Sequence, residues 1–266
     1  MTDVFVVIVT SNHASYIRRC VESVLNSQHA CSVDVAVVDN GSVDGTREIL
    51  RTFDGWLKLI EREGGHSLSN NINIVLRMAE AKYFLIMNPD VELPPDGIAK
   101  LYDFMEEHED AGACGPKLAN CDGSLQLSCR RFPTPWIFLV RRTPLRWFLP
   151  MEKTGKSQLM ADWDHKEVKQ VDWVIGACTI LRKEALDQIG YYDERFRLYC
   201  EEIDLCYRLW EQGWLVYYDP RVAVVHDHQL KSLKKLISIH SFWHYQSMLQ
   251  YVLKHKLAGF RRPQTD

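Results

Sequence analysis

Four short stretches of this chain carry polar groups in arrangements that could do chemistry. In Val37-Val38-Asp39-Asn40-Gly41-Ser42 an apolar run ends in a carboxylate and an Asn-Gly turn. That reads as a buried strand delivering Asp39 to the carboxyl edge of an open sheet, where α/β folds bind ligands. There the carboxylate can accept the imide N–H of uracil or thymine, while the Asn40-Gly41 turn lets backbone approach a ribose. In Ile86-Met87-Asn88-Pro89-Asp90-Val91-Glu92 a second apolar run ends in acids. Asp90, with Glu92 as a further or water-mediated ligand, suits a divalent cation that keeps positions open for diphosphate oxygens and water. Glu201 and Glu202 open a helix whose Ile203, Cys206, Leu209 and Trp210 form an inward stripe, a rigid platform for a general base. His226 ends the run Val222-Ala223-Val224-Val225, where a neutral imidazole could close the cation site begun by Asp90.

Each motif taken singly also has a plainer account. Asp-Asn-Gly-Ser is a tight turn with a helix cap behind it, and Asn-Pro-Asp is a common turn. The acidic pair suits a helix dipole with Asp204 pairing Arg208 at i, i+4, and a lone histidine is often a packing residue. The chemistry therefore depends on whether 39, 90, 202 and 226 converge on one cavity.

The elements that would position them alternate. Val4 to Thr10, Val33 to Asp39, Leu57 to Glu61 and Tyr83 to Asn88 read as strands; Ser15 to Ser27, Ser42 to Phe53 and Leu68 to Ala81 read as helices between them. A doubly wound, mostly parallel sheet follows. After a helix from Asp96 to about His108 the texture shifts to short strands at Ala113 to Leu118 and Ser124 to Cys129, then an irregular or amphipathic excursion from Pro133 to Pro150. Val171 to Leu181, interrupted by Gly176, Trp214 to Asp219 and Val222 to His226 are further strands. Lys183 to Ile189, Glu201 to Gln212 and a long segment from Leu233 to Lys254 are further helices. Three parts result: 1–112 and 113–230, two halves of the same domain, and 231–266, a basic helical segment.

With 266 residues and 46% hydrophobic content the chain can bury a sizeable core, which excludes disorder. Its net charge of -3 conceals asymmetry. From Gly123 to Met151 no acid offsets Arg130, Arg131, Arg141, Arg142 and Arg146, and from His228 to Thr265 none offsets Lys231, Lys234, Lys235, Lys254, Lys256, Arg261 and Arg262. Aromatic residues accompany both stretches, a composition that fits a membrane surface or a dimer seam equally. The eight cysteines form no C-x-x-C pair and read as buried reduced thiols of a cytoplasmic protein, peripheral on the inner face of the membrane if it meets one. The run Val4 to Val9 is too short for a signal peptide and reads as strand one. No nucleic-acid partner is expected, because no such motif occurs and acidic strand ends would repel phosphate without a metal. The absence of G-x-G-x-x-G and G-x-x-x-x-G-K-[ST] excludes nicotinamide and P-loop enzymes.

The ordered set VVDNGSVDGT, NNIN, IMNPDVEL, GPKL, DGSLQLSCRRFP, WVIGACTILRKEAL, GYYDERFRLYCEEIDLCYRL and VVHDH resembles family 2 inverting glycosyltransferases, most closely the rhamnosyltransferase type of bacterial surface-polysaccharide synthesis. The resemblance spans Val4 to about His255. It implies a GT-A fold: a Rossmann-like, mixed, mostly parallel sheet flanked by helices, with 1–112 as the nucleotide-sugar-binding half and 113–230 as the smaller, acceptor-binding and catalytic half. It implies a nucleotide-sugar donor (dTDP-rhamnose or a UDP-sugar), a saccharide or lipid-linked saccharide acceptor, and Mg²⁺ or Mn²⁺. By position, Asp39 matches the base-reading aspartate, with Thr10, Asn12, Asn40, Gly41 and Asn71 around the nucleotide. Asp90 matches the last acid of the D-x-D element, His226 the histidine that completes the metal site, and Glu202 the catalytic base. Trp173, Gly176, Ala177 and Glu201 match the sugar and acceptor pocket. The chain departs from the family pattern at Ser11, where an aromatic is common, at Glu63 and His66, and at Glu202 in place of Asp. Those departures leave a catalytically impaired scaffold as the alternative.

Overall fold

The computed structural model describes residues 1–27, 31–133, 157–227 and 239–256. Much of the arginine-rich excursion, and residues 233–238 of the expected last helix, lie outside them. The chain opens with β1 (Thr2–Thr10), α1 (Ile17–Leu25), β2 (Val33–Asn40), α2 (Thr46–Arg51), β3 (Lys58–Arg62), α3 (Leu68–Met78) and β4 (Ala81–Met87). The first four strands pair in parallel in the order β3-β2-β1-β4. Their alternate residues feed two cores: Val7, Ala36, Val38 and Phe84 point to the face covered by α3, and Val6, Ile8, Val37 and Leu85 to the face covered by α1. This is why these strands read as unbroken apolar runs rather than as alternating ones.

The second half begins with β5 (Val91–Glu92), α4 (Gly97–Glu107), β6 (Ala111–Ala119), β7 (Leu125–Gln126), β8 (Cys129–Arg130), β9 (Lys169–Gln170), β10 (Trp173–Val174) and β11 (Cys178–Arg182). It ends with α5 (Lys183–Ile189), α6 (Glu201–Glu211), β12 (Leu215–His226) and α7 (Ile239–His255). β11 lies antiparallel between β4 and β6, and the order continues β4-β11-β6-β12-β5. One mostly parallel, mixed sheet thus crosses both halves. α5, α6 and α7 join α3 on one face through Leu186, Leu205 and Tyr251; α4 joins α1 on the other through Leu101 and Phe104.

Several element expectations change in detail. The stretches 124–129 and 171–181 each divide: β8 and β10 pair in a separate two-stranded sheet, while β7 and β11 join the main one. The two runs expected from Trp214 to His226 are one strand, with a register shift between Asp219 and Ala223. α2 starts at Thr46, four residues later than expected, because the loop before it is used otherwise: Asp39 accepts the Ser42 N–H, and Gly45 has φ +90°. All eight cysteines are free thiols and six of them are buried. Among the described residues no helix is long and apolar enough to cross a membrane.

Candidate functional site

At the carboxyl edge of the sheet the register places Thr10 beside Asp39 and Ile8 beside Met87. The ends of β1, β2 and β4 therefore surround one cavity of about 490 Å³, bordered by Thr10, Asn40, His66, Asn71 and Asp90. Asp39 is fully buried behind it. Its Oδ2 accepts the Ser42 N–H at 3.1 Å and the Arg47 Nε–H at 2.5 Å, whereas its Oδ1 has no hydrogen-bond partner. A buried carboxylate oxygen without a donor costs free energy that an incoming N–H would relieve, which is what an imide supplies. Arg47, absent from the sequence expectation, comes from the first turn of α2, and its Nη2 also donates to the Arg62 carbonyl at 2.5 Å.

Close packing shapes the surroundings of Asp39. Gly41 has φ +78°, and a Cβ there would lie 2.7 Å from the Gly64 Cα and 2.8 Å from the Glu63 carbonyl oxygen. Only glycine lets the 63–66 loop close down, and Asn40 Nδ2 clamps that loop by donating to the His66 carbonyl at 3.0 Å. Asn12 and Asn71 act as frame. The Asn12 N–H donates to Ser42 Oγ and its Oδ1 accepts from the Val43 N–H, both at 2.9 Å. Asn71 Oδ1 accepts from Arg62 Nη1 at 2.5 Å and its Nδ2 donates to the Ser67 carbonyl at 3.0 Å. Ser11 leaves one wall without the common aromatic, and rings from His13 and His66 border the same cavity.

The surroundings of Asp90 are assembled by β12 returning to β5. Their antiparallel register sets His226 opposite Val91, and the Asp227 N–H donates to the Asp90 carbonyl at 2.9 Å. His226 Nε2 consequently stands 3.4 Å from Asp90 Oδ1, close enough for both to reach one cation. Behind the ring, Gln126 Nε2 donates to the His226 carbonyl at 2.7 Å and to Asn120 Oδ1 at 2.6 Å. With its amide orientation fixed in this way, Gln126 Oε1 must accept, at 2.9 Å, from His226 Nδ1–H. That tautomer turns the Nε2 lone pair toward Asp90, as in a metal-ligating histidine whose other ring nitrogen is held by a hydrogen-bond acceptor. Asp90 Oδ1 is itself a buried oxygen without a hydrogen-bond partner, so an oxygen-and-nitrogen donor pair fits a divalent cation. Two protein donors leave positions for diphosphate oxygens and water; among the described residues no larger cluster of His, Cys, Asp or Glu forms a metal site. Glu92 instead pairs with Arg19 at 3.3 Å.

Glu202 stands on α6 just after two successive left-handed residues, Tyr199 and Cys200 at φ +67° and +68°. Such backbone is costly for side-chain-bearing residues and is kept where the surroundings enforce it. Glu202 Oε1 accepts the Gly176 N–H at 3.3 Å, and a Cβ on Gly176 would meet that oxygen at 2.8 Å. The next carbonyl, that of Ala177, accepts the Asn88 N–H at 2.8 Å, so Glu202 and the Asp90 turn are linked through two neighbouring backbone hydrogen bonds. Burial raises the Glu202 carboxyl; it raises Glu201 well above its ordinary range, with the charge of Glu202 adding to it. Glu201 is only 2% exposed and its Oε2 has no hydrogen-bond partner.

Of the residues expected in the site, Asp90 borders the 490 Å³ cavity, whereas Glu202, His226, Trp173, Gly176, Ala177 and Glu201 are not among the residues that line it. Trp173 Nε1 donates to the Arg131 carbonyl at 3.1 Å, Gly176 holds Glu202, Ala177 anchors Asn88, and Glu201 faces the interior. Sequence reasoning missed Gln126, although it lies within the DGSLQLSCRRFP segment, and it missed Arg197 and Trp243, which border the cavity. Arg197 lies within GYYDERFRLYCEE, where its type is the only signal.

The profile of glycosyl transferase family 2 matches residues 5–190. The N-acetylglucosaminyl-diphospho-decaprenol L-rhamnosyltransferase of Mycobacterium tuberculosis (strain ATCC 25618 / H37Rv) is 28% identical over 278 residues, covering 99% of this chain and 88% of that protein. Rhamnosyltransferase WbbL of Escherichia coli (strain K12) is 25% identical over 269 residues, covering 97% and 96%. Among solved structures, GalNAc-T7 with UDP, GalNAc and Mn²⁺ superposes with a TM-score of 0.68 at 18% identity, over 96% of this chain and 48% of that one. This chain thus spans about half of GalNAc-T7, and the likeness establishes the GT-A fold. The profile match ends before Arg197, Glu202 and His226.

Proposed function

Because this chain belongs to the family 2 glycosyltransferases, we propose that it transfers a sugar from a nucleoside diphosphate to an acceptor hydroxyl with inversion, in bacterial surface-polysaccharide synthesis. The donor we favour is dTDP-rhamnose, and the acceptor a saccharide on a lipid diphosphate, in keeping with the relatives named above. The observation that carries this reading is the Asp90 to His226 approach of 3.4 Å, at the edge where Asp39 turns an unmet carboxylate oxygen to the interior.

In this mechanism Asp39 Oδ1 accepts the imide N–H of the base, and Gly41 keeps the loop close to the ribose. Asp90 and His226 would hold Mg²⁺ or Mn²⁺, which when bound neutralises charge on the departing diphosphate. Glu202 Oε1, oriented by the Gly176 N–H, takes the proton of the acceptor hydroxyl as its oxygen attacks the anomeric carbon. The raised pKa brings this carboxylate nearer the operating pH without removing its role as a base. One base on one face suits a single displacement. The outer side of α7 supports acceptor delivery at an anionic lipid surface: Tyr245, Leu249 and Leu253 are 44%, 60% and 68% exposed, within the acid-free stretch that ends at Thr265. Sedimentation with anionic but not neutral vesicles at low salt is the expected result; none with either removes the membrane from the reading.

Transfer assays with dTDP-rhamnose and UDP-sugars, with and without chelator, test the whole scheme. NMR of the product's anomeric centre reports the stereochemistry, and retention would overturn the single displacement. Glu202→Gln should lower turnover by about two to four powers of ten with donor affinity largely kept. Near-normal turnover in that variant removes Glu202 from the role.

A further inference from the structure

Arg197 is the one lysine or arginine among the described residues that border the cavity holding Asn40 and Asp90. Arginines nearby are engaged with acids or amides: Arg47 with Asp39, Arg62 with Asn70 and Asn71, Arg19 with Glu92, and Arg195 with Asp193. Arg197 lays its guanidinium over the Trp243 ring, 4.4 Å from the centroid, and its Nη2 donates to the Gly65 carbonyl at 3.4 Å. No ion pair with a described carboxylate engages it.

A guanidinium held by its face keeps its in-plane N–H donors along the edge, the geometry that suits paired phosphate oxygens. The stack also fixes where the charge stands, so little order is lost when an anion arrives. The chemistry of the cavity calls for such a cation. A nucleotide sugar brings a negatively charged diphosphate against Asp90. When the bond between the anomeric carbon and the diphosphate oxygen breaks, its electron pair leaves with that oxygen and adds one more negative charge. A fixed cation stabilises that state more than the bound donor.

We propose that Arg197, braced by Trp243 of α7, grips the donor diphosphate. The site is then completed from the C-terminal part of the chain, opposite the strands that hold the nucleoside. This inference rests on the glycosyltransferase reading and adds to it a diphosphate-binding residue outside the segment matched by the family profile. An acceptor bearing a diphosphate offers the same oxygens, and the test separates the two sources.

Calorimetric titrations of the whole chain with Mn²⁺ would compare dTDP and UDP with thymidine and uridine. Arg197→Ala should weaken nucleoside diphosphate binding roughly ten- to a hundredfold and leave nucleoside binding unchanged. Arg197→Lys should recover part of the loss, and Trp243→Ala should reproduce a smaller loss of the same selectivity. Unchanged diphosphate affinity in Arg197→Ala overturns the proposal, as does an equal loss for nucleoside and diphosphate, which would mark a purely structural role. Unchanged affinity combined with a raised KM for a diphosphate-bearing acceptor moves Arg197 to the acceptor and overturns the donor assignment. Failure of the wild-type chain to bind any nucleoside diphosphate would instead overturn the proposed function itself.

Discussion

Two neighbouring carboxyl groups such as the buried Glu201 and the half-buried Glu202 cannot both ionise cheaply, and their environments divide the labour. Glu202 has the Gly176 N–H to favour its charge, whereas Glu201 has an unbonded oxygen and its neighbour's field. The folded-state pKa of Glu201 therefore lies above its unfolded value, so the folded chain binds the extra proton and stability falls as pH rises past about 4.3. Glu201→Gln removes that loss. Its melting temperature relative to wild type should change little near pH 4 and become increasingly higher toward pH 8 in thermal unfolding; a gap that does not widen would mean Glu201 ionises without penalty. Gln126→Leu should lower Mn²⁺ affinity about ten- to a hundredfold, measured by electron paramagnetic resonance, because the His226 ring loses the acceptor that fixes its tautomer. At this scale Asp39, Asp90, Glu202 and His226 were legible because each is a polar residue ending an apolar strand or opening an amphipathic helix. Arg47, Gln126 and Arg197 were not, since their significance arises from partners brought close only by the folded sheet.

Between elements, the turn from β10 to β11 sets the geometry of the proposed base. Gly176→Ala would place a methyl 2.8 Å from Glu202 Oε1 and 2.9 Å from its Cγ, so the carboxylate must move. Turnover is expected to fall by about a hundredfold with donor affinity nearly kept, since displacement by an ångström or so can cost that much. A kcat equal to wild type would show that Glu202 tolerates the shift. The parallel strands were readable because their apolar runs are continuous, and their helices because period and cap residues agree. The two-residue strands β5 and β9 carry too few residues for any period. The split of 124–129 between two sheets is a tertiary outcome: the Ser128 carbonyl accepts the Ile175 N–H, tying β8 to β10.

Over the whole molecule, α7 is tied to the rest of the fold through a buried acid as well as through Asp193, which Lys254 Nζ meets at 2.7 Å. Asp204 accepts from Arg208 Nε at 2.8 Å and His255 Nε2 at 2.7 Å, and Lys254 Nζ lies 2.6 Å away. Burial alone would raise its pKa, but the His255 hydrogen bond and the charges of Arg208 and Lys254 hold it below the ordinary range. Stability from this cluster is present above the unfolded carboxyl value and is lost as pH falls through the lower folded one. Asp204→Asn takes the carboxylate from the partly buried Arg208 guanidinium and the buried His255 ring, while Lys254 keeps Asp193, and should cost about 3–5 kcal/mol in denaturant unfolding. It should also weaken donor binding, because α7 carries Trp243 and its Ser247 Oγ donates to the Leu198 carbonyl at 2.9 Å, beside Arg197. Donor affinity unchanged in a folded Asp204→Asn chain would separate the helix from the cavity.

The return of β12 to the two residues of β5 has a bearing on biogenesis. Chains emerge from the ribosome amino end first, and the parallel strands that frame Asp39 can pair early. Asp90 must wait until His226 has been translated and its strand has threaded beside β6. A newborn polypeptide would thus complete the proposed nucleoside cradle well before the proposed cation grip.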